Sequence, residues 1–584
     1  MLKLFRYLRH YKLQSILGPL FKLTEACFEL AVPLVMANII DVGIANEDSD
    51  YIIGKGIVLV LLGVLGLAAS LTAQFFAARA SLGFGTELRR DLFRHINTLS
   101  HKEIDSLGSS TLVSRMTVDI NQAQTGINML LRLFLRSPFI VIGAVIMAFS
   151  VSVKLTLIFL VASPLLALVI FFVMKKTVPM YKRIQKKLDR TTLMVGENIS
   201  GVRVIRAFSR QEDERKAFEE NSGELLDLQL KAGRISALTN PCTYVIVYIA
   251  IIAIIWFGGV NVDAGSITQG ELIALISYMN QILLALLAVA ILVTSLTKAQ
   301  ASAVRINEVF AVQSTLTDDG CTEQDITASD IAVEFKNVSF SYHENGENAV
   351  KDISFSVKNG ETVGVIGGTG CGKSTLVSLI PRFYDCSGGG VSVFGNNVKA
   401  YPFKQLRGMI GYVPQKAELF RGTVEENLRY RAKDASGEDI IKALKTAQAY
   451  DFVMADPEGL DRMITAGGKN LSGGQRQRLT IARALVGEPK ILILDDSASA
   501  LDLATDAALR RALREKKGEM TVFIVSQRIS SIRHADKILV LDDGELVGTG
   551  THEQLLDSCP LYNEICRSQQ YSDPVGKGAV SDEK

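Results

Sequence analysis

The chain is short of the features that define several large classes of protein. It has almost no net charge: 63 Lys and Arg stand against 61 Asp and Glu, a formal excess of +2 over 584 residues. Proteins that bind nucleic acid concentrate positive charge, and this balance gives no case for nucleic acid as a partner. Cysteine is scarce and odd in number. The seven thiols are scattered, which argues against a disulfide framework and suits reduced thiols in a cytosolic setting. Tryptophan occurs once, at Trp256. The basic and aromatic stretch Met1–Lys12 is not followed by a short apolar core with a small-residue cleavage site, so no cleaved signal is expected.

What the chain has instead is apolar length. Hydrophobic residues make up 48% of it and charged residues 21%, yet the mean hydropathy is +0.23. A soluble chain with that charge content averages below zero, so the apolar residues must be concentrated, and they lie in the first half. Uncharged runs extend over Gly56–Ala78, Ser137–Val153, Leu155–Met174, Ile235–Val262 and Leu272–Thr297. A sixth, Gln14–Ile40, is interrupted only by Lys22, Glu25 and Glu29. A membrane helix needs about 20 mostly apolar residues. Helices buried in a soluble domain would keep a polar face, and several of these runs have none. The expectation is an all-α transmembrane domain of six helices over 13–312. Before it, Arg6, Arg9 and Lys12 alternate with Leu4, Phe5, Tyr7 and Leu8, which suits an amphipathic elbow over 1–12 resting on membrane lipids.

Orientation follows from the basic residues. Arg89–Arg115 and Lys175–Arg234 are rich in Lys and Arg, whereas the short connection Asn46–Tyr51 carries Glu47, Asp48 and Asp50. Basic loops stay inside, so both long segments and both termini are expected in the cytoplasm of a multi-pass cell-membrane protein. Trp256 then falls near the outer end of the fifth span, as an aromatic belt residue or an ordinary lipid-packed side chain.

Lys22, Glu25 and Glu29 are spaced three and four apart and share one helix face. Ionisable groups within a span usually face a bundle interior or a wet cavity. Two readings stand side by side. Glu25 and Glu29 are counter-charges for a cationic substrate, or Lys22 pairs with Glu25 while Glu29 bonds to a neighbouring helix. Tyr278, Asn280 and Gln281 form a polar cluster in the last span, suited either to lining a translocation cavity or to joining helices.

From Gln313 to Asp330 the chain becomes polar and acidic with no apolar period, a linker. The alternating Ile331-Ala332-Val333-Glu334-Phe335 opens a strand-rich domain over 331–569, and a polar tail follows over 570–584. Gly367-Gly368-Thr369-Gly370-Cys371-Gly372-Lys373-Ser374 fits G-x-x-x-x-G-K-[ST]. An apolar strand, Thr362–Ile366, precedes it and a helix begins at Ser374. In that setting the glycines let backbone N–H groups curl around phosphate oxygens at a helix N-terminus. Lys373 would reach the β- and γ-phosphates of ATP, and the Ser374 hydroxyl would coordinate Mg²⁺. Thr375 completes the nucleotide-binding set. Cys371, inside the loop, is a candidate for thiol sensitivity or simply a small residue that fits.

Leu471-Ser472-Gly473-Gly474-Gln475 lies further on, and the apolar strand Ile491–Leu494 ends in Asp495-Asp496. In that order these motifs resemble the ABC ATPases. With the membrane-type first half, the chain from the elbow to about Cys566 resembles an ABC exporter half-transporter. Glu197–Phe208 matches the family's second intracellular segment well, and Gly108–Asp119 matches the first less closely. The resemblance implies an α/β P-loop ATPase domain with a helical signature subdomain behind the six-helix membrane domain. It implies that Tyr342 stacks on adenine, that Asp495 holds Mg²⁺, and that Gln415 senses the metal and touches the membrane-domain segments. It also implies that ATP sites are shared: Ser472, Gly473, Gly474 and Gln475 close over ATP held by a partner chain, and Asp502 lies in the loop that crosses to that partner.

Three positions depart from the family pattern. Asp496 stands where the general base is normally Glu, Gln527 where a His is normal, and Ala466 where exporters often carry Glu. Aspartate withdraws the carboxylate by one methylene, and Gln527 cannot carry a proton or a positive charge. The site is expected to hold ATP-Mg²⁺ and hydrolyse it slowly. The resemblance therefore implies the degenerate subunit of a bacterial heterodimeric multidrug-type exporter for small hydrophobic or amphipathic compounds. Its partner would be a second half-transporter carrying the normal Glu and His. A lipid or peptide exporter with the same engine, or an ATP-gated channel, is the alternative.

Overall fold

The computed structural model describes residues 1–326, 329–343 and 346–570; from 571 on, the polar tail lies outside the described residues. The chain divides into two compact bodies. One comprises Met1–Asn97 and Gly108–Val312, the other Thr98–Leu107 and the chain from Gln313. The decapeptide Thr98–Leu107 thus packs with the second body although it interrupts the first in sequence.

Six helical elements long and apolar enough to cross a membrane run through the first body: Lys3–Ile44 (α1), Ser49–Thr98 (α2), Ser109–Val151 (α3), Val153–Ser200 (α4), Gln211–Asp263 (α5) and Gln269–Ala311 (α6). Their number agrees with the apolar runs, but their lengths do not. At about 1.5 Å per residue a helix the length of α2 outreaches the roughly 30 Å hydrocarbon core more than twofold. Hydropathy marks only the stretch suited to lipid. The helix continues through charged residues because Glu, Lys, Arg and Leu are good helix formers.

Helix ends have local causes. Ser152 is extended (φ −157°, ψ 117°) and ends α3, and its hydroxyl accepts from the N–H of Leu155 to open α4. Thr268 and Glu271 form a capping box at the start of α6. The elbow is a 3₁₀ helix, Leu2–Tyr11. Its Leu4 and Tyr7 are buried, with the Tyr7 ring edge-on to Phe84 at 6.4 Å, while Arg6, Arg9 and Lys12 are exposed.

The core of this body joins Leu30 of α1, Ala144 and Ala148 of α3, Phe159 and Leu166 of α4, Ile254 of α5, and Leu275, Met279 and Ile282 of α6. Small residues let the backbones approach closely. A Cβ added at Gly126 of α3 would sit 2.2 Å from the Cβ of Ala299 on α6, so glycine is required at that crossing. One charged node ties the same two helices. Asp119 is 2% exposed and takes Arg115 at 3.0 Å and the Arg305 guanidinium, whose Nε lies at 3.1 Å.

The second body holds the strands β1 (Ile331–Phe340), β2 (Val350–Lys358), β3 (Thr362–Gly367), β4 (Gly388–Val393), β5 (Asn396–Asn397), β6 (Ile410–Val413), β7 (Gly422–Thr423), β8 (Met463–Ile464), β9 (Ile491–Asp495), β10 (Thr521–Val525), β11 (Lys537–Asp542) and β12 (Glu545–Gly550). Six form one sheet in the order β12-β11-β3-β10-β9-β6. It is parallel except for β12. Every residue of β9 and β10 is buried, as in a sheet covered on both faces. A four-stranded antiparallel sheet, β2-β1-β4-β5, stands beside it. Helices Gly437–Thr446 and Gly473–Leu485 share a hydrophobic cluster with the six-stranded sheet and make the helical part.

The linker is fastened to this body. The backbone N–H of Gln324 donates to Gln405 Oε1 at 2.9 Å, and Gln405 Nε2 donates back to Gln324 O at 2.7 Å. Thr315 Oγ1 donates to Glu103 Oε1 at 2.9 Å, and the Ser100 N–H donates to Glu103 Oε2 at 2.8 Å. Burial pushes the Glu103 carboxyl up, but these donors outweigh it and leave its pKa below the ordinary value.

Replacing Asp119 with Ala should test the charged node. Breaking a buried pair costs about 3–5 kcal/mol, but Arg305 is 40% exposed and water takes over part of its solvation. A loss of about 2 kcal/mol is expected, read as a lower midpoint in thermal unfolding of the detergent-solubilised chain.

Candidate nucleotide-binding and catalytic site

Both key acids and the phosphate loop leave the same edge of the parallel sheet. β10 pairs with β3 on one side and β9 on the other, so the loop after β3 and Asp495 at the end of β9 emerge close together. The loop turns on glycines with positive φ, Gly370 at +85° and Gly372 at +94°. At Gly372 a Cβ would also lie 2.3 Å from the carbonyl oxygen of Ala349.

Lys373 is buried. Its ammonium donates to the carbonyls of Gly367 (3.0 Å) and Gly368 (2.5 Å) and lies 3.6 Å from Cys371 Sγ. A cation is thus held at the mouth of a loop of N–H groups, the arrangement a polyphosphate needs. Ser374 Oγ donates to Asp495 Oδ1 at 2.7 Å. Thr375 Oγ1 lies 2.9 Å from the Tyr342 hydroxyl, and the Tyr342 ring, 41% exposed, stands edge-on to Phe340 and Tyr384.

Asp495 is 4% exposed. Burial raises its pKa; Ser374 and the Tyr412 hydroxyl, which donates to Oδ2 at 3.2 Å, pull it back down, while the charge of Asp496 pushes up again, and the net shift is upward. Hydroxyl and carboxylate oxygens at this spacing are hard donors suited to Mg²⁺. Asp496 follows in a left-handed conformation (φ +45°), its N–H donating to Val525 O at 3.0 Å. Gln415 Nε2 lies 3.4 Å from Asp496 Oδ2. Lys373, Ser374, Asp495, Asp496 and Gln415 are therefore gathered in one place.

The other predicted residues make different contacts. The Gln527 side chain is exposed, and its backbone carbonyl accepts from Gln569 Nε2 at 2.7 Å while the Ile529 N–H donates to Gln569 Oε1 at 2.8 Å. Ser472 caps the helix Gly473–Leu485 and forms a capping box with Gln475; Ser472 and Gly473 are exposed. A Cβ on Gly474 would meet the Ala500 carbonyl at 3.3 Å, which puts the signature beside the 499–502 loop. Asp502 caps Leu503–Arg514 through Thr505, and the Thr505 N–H holds its carboxyl below the ordinary range.

In the membrane-type body, Lys22 pairs with Glu25 and donates to Ser70 Oγ at 3.1 Å. Glu29 takes Arg136 of α3 at 2.8 Å. Tyr278 is fully buried and donates to Leu30 O at 2.9 Å; Gln281 donates to Glu29 O at 3.1 Å, and Asn280 to Ile276 of its own helix. Glu29, Arg136 and Gln281 line a cavity of about 280 Å³. Sequence reasoning missed Arg136, which sits just before the run Ser137–Val153, and it gave no role to Tyr412 or Gln569. For Arg136 the signal was there: a cation at the edge of a span, four residues after Arg132, suited to a carboxylate on a neighbouring helix.

Gly372→Ala should separate loop geometry from fold. The left-handed backbone costs an L-residue roughly 1–2 kcal/mol, and the overlap with Ala349 adds to it. Binding of a fluorescent ATP analogue is expected to weaken at least tenfold, about 1.4 kcal/mol, with the far-UV circular dichroism unchanged.

Family profiles match both halves: ABC transporter transmembrane region over residues 15–286 and ABC transporter over residues 350–499. The chain is 37% identical over 569 residues to an uncharacterized ABC transporter ATP-binding protein, YfiB, of Bacillus subtilis, covering 97% of this chain and 98% of that one. It is 31% identical over 576 residues to an ATP-dependent lipid A-core flippase of Chromobacterium violaceum, covering 98% and 97%. Among solved structures, a bacterial Atm1-family ABC exporter with ATP bound shares the fold, with a TM-score of 0.80 at 22% identity over 99% of both chains. The chain belongs to the ABC transporters: an ABC transmembrane region and an ABC ATPase domain in one polypeptide, a multi-pass, ATP-hydrolysing half-transporter with its ATPase domain in the cytoplasm.

Proposed function

We propose that this half-transporter is the hydrolysis-impaired member of a heterodimeric exporter of small hydrophobic or amphipathic compounds. The observation that carries the reading is a complete binding set beside a shortened base. Lys373, Ser374, Asp495 and Gln415 lie close together, and Asp496 follows Asp495 where the family's general base is normally Glu. A base must come within about 2.6–3.2 Å of the proton it takes, and a displacement of about 1 Å costs on the order of 100-fold. Gln527 can hydrogen-bond a γ-phosphate but cannot carry charge to it.

The donor set suits Mg²⁺. Ser374 Oγ and the Asp495 carboxylate would hold it, with Gln415 near. Among the described residues no group of three or more His, Cys, Asp or Glu is placed to hold a metal, which fits an ion held largely by phosphate and water. When bound, Mg²⁺ neutralises phosphate charge. The chain's own residues do the rest: Lys373 binds, Tyr342 offers an aromatic face, and Asp495 aligns.

The signature, Ser472–Gln475, is intact, exposes Ser472 and Gly473, and serves the partner's ATP. Closure of the two ATPase domains on ATP drives the membrane helices, which requires nucleotide to bind the closed state more tightly than the open one. An apolar cavity of about 420 Å³ between α4 and α6, lined by Ile170, Phe171, Met174, Leu286 and Val293, supports a hydrophobic cargo. A second reading, lipid export, is favoured by the similarity to the lipid A-core flippase; translocation of a labelled lipid in proteoliposomes separates the two.

Tagged chain extracted gently from native membranes should co-purify with a second half-transporter carrying Glu and His at the two altered positions. Brisk ATP hydrolysis by this chain as a homodimer would sink the heterodimer. Asp496→Glu with Gln527→His should raise hydrolysis by this chain's site by about 10–100-fold. Ser472→Ala should slow hydrolysis by the complex while leaving this chain's own nucleotide binding intact.

A further inference from the structure

The parallel pairing of β6 with β9 sets Tyr412 opposite Ile493, one step before Val413 meets Leu494. That register carries the Tyr412 hydroxyl to 3.2 Å from Asp495 Oδ2, while Ser374 Oγ holds Oδ1 at 2.7 Å. The two donors grip opposite oxygens of one buried carboxylate and fix its plane. The Tyr412 ring is itself held. It stands edge-on to Phe383 at 5.1 Å, and Phe383 stands edge-on to His101 of Thr98–Leu107 at 4.9 Å. The neighbouring Tyr384 hydroxyl reaches Asp105 of the same segment at 3.4 Å.

We propose that Tyr412 is a positioning residue for the metal-binding carboxylate. Its O–H fixes one oxygen of Asp495 and so sets how readily the nucleotide site takes a divalent cation, with its ring braced through Phe383 on His101. The proposal rests on the reading of Ser374 and Asp495 as the Mg²⁺ pair. A phenol offers one O–H donor, and here it is directed at the carboxylate. Groups that orient a metal ligand from behind typically change metal affinity by about 10–100-fold when removed. Ser374 keeps its own grip here, so the low end is expected.

The test is a Mg²⁺ titration of fluorescent ATP analogue binding to the full-length chain in lipid nanodiscs, wild type against Tyr412→Phe, with a parallel measurement in EDTA. Affinity in EDTA should be the same, and the Mg²⁺ midpoint about tenfold higher in the variant. Phe383→Leu keeps the phenol but removes its brace, and should shift the midpoint in the same direction by a smaller factor. A Tyr412→Phe midpoint equal to wild type overturns the proposal. So does an equal loss with and without Mg²⁺, which makes Tyr412 a packing residue. Wild-type binding indifferent to Mg²⁺ would overturn it together with the Mg²⁺ reading of Ser374 and Asp495.

Discussion

The hydrogen bond from Ser374 to Asp495 is the contact on which the ATPase site depends. The two residues are far apart in sequence, and only the strand order β3-β10-β9 brings them to 2.7 Å. Parallel strands start and stop at common edges, so a loop leaving β3 and an acid ending β9 must face the same side. β10 between them is buried on both faces, so a slip in register would mismatch side chains close-packed on each side. Everything else in the site is arranged around that fixed distance: the glycine turn before Ser374, the ammonium of Lys373, and Asp496 one residue on. The positive φ at Asp496 shows how sharply the chain turns after the strand, and its N–H remains tied to Val525.

A different constraint governs the membrane-type body. Charge inside a span is tolerated when it is paired or faces a wet cavity. Lys22 with Glu25, and Glu29 with Arg136, satisfy it within the chain. The result is a span region with little net charge to offer. Each of these carboxylates thus has a cation of its own chain beside it. Tyr278 and Gln281 spend their donors on the backbone of α1, so their polarity holds helices together.

The motifs were legible in the sequence because each is local. A phosphate loop is a turn between a strand and a helix, a signature is a helix cap, and a span is a run of apolar residues long enough to satisfy its backbone in lipid. Helix lengths were not legible, since hydropathy ends where charged residues begin, whereas α2 continues through Glu87, Arg89 and Arg90 to Thr98. The grouping of Thr98–Leu107 with the second body was also hidden. It depends on Phe383 and Tyr384, aromatic residues separated from His101 by most of the membrane domain and the linker.

By itself the sequence determined the number of spans, the family, and the chemistry available at each motif, because residue type and short spacing settle which groups exist. It also determined that an Asp follows Asp495 at position 496 and that a Gln stands at position 527. Tertiary structure alone decided which groups meet: Arg136 with Glu29, Tyr412 with Asp495, Gln569 with the turn at Gln527, and Glu103 with Thr315. The physical reason is the range of the interactions. Hydrophobic periodicity and capping act over a few residues and leave a local record. A hydrogen bond near 3 Å between distant side chains leaves none until strand register and helix packing have fixed both partners.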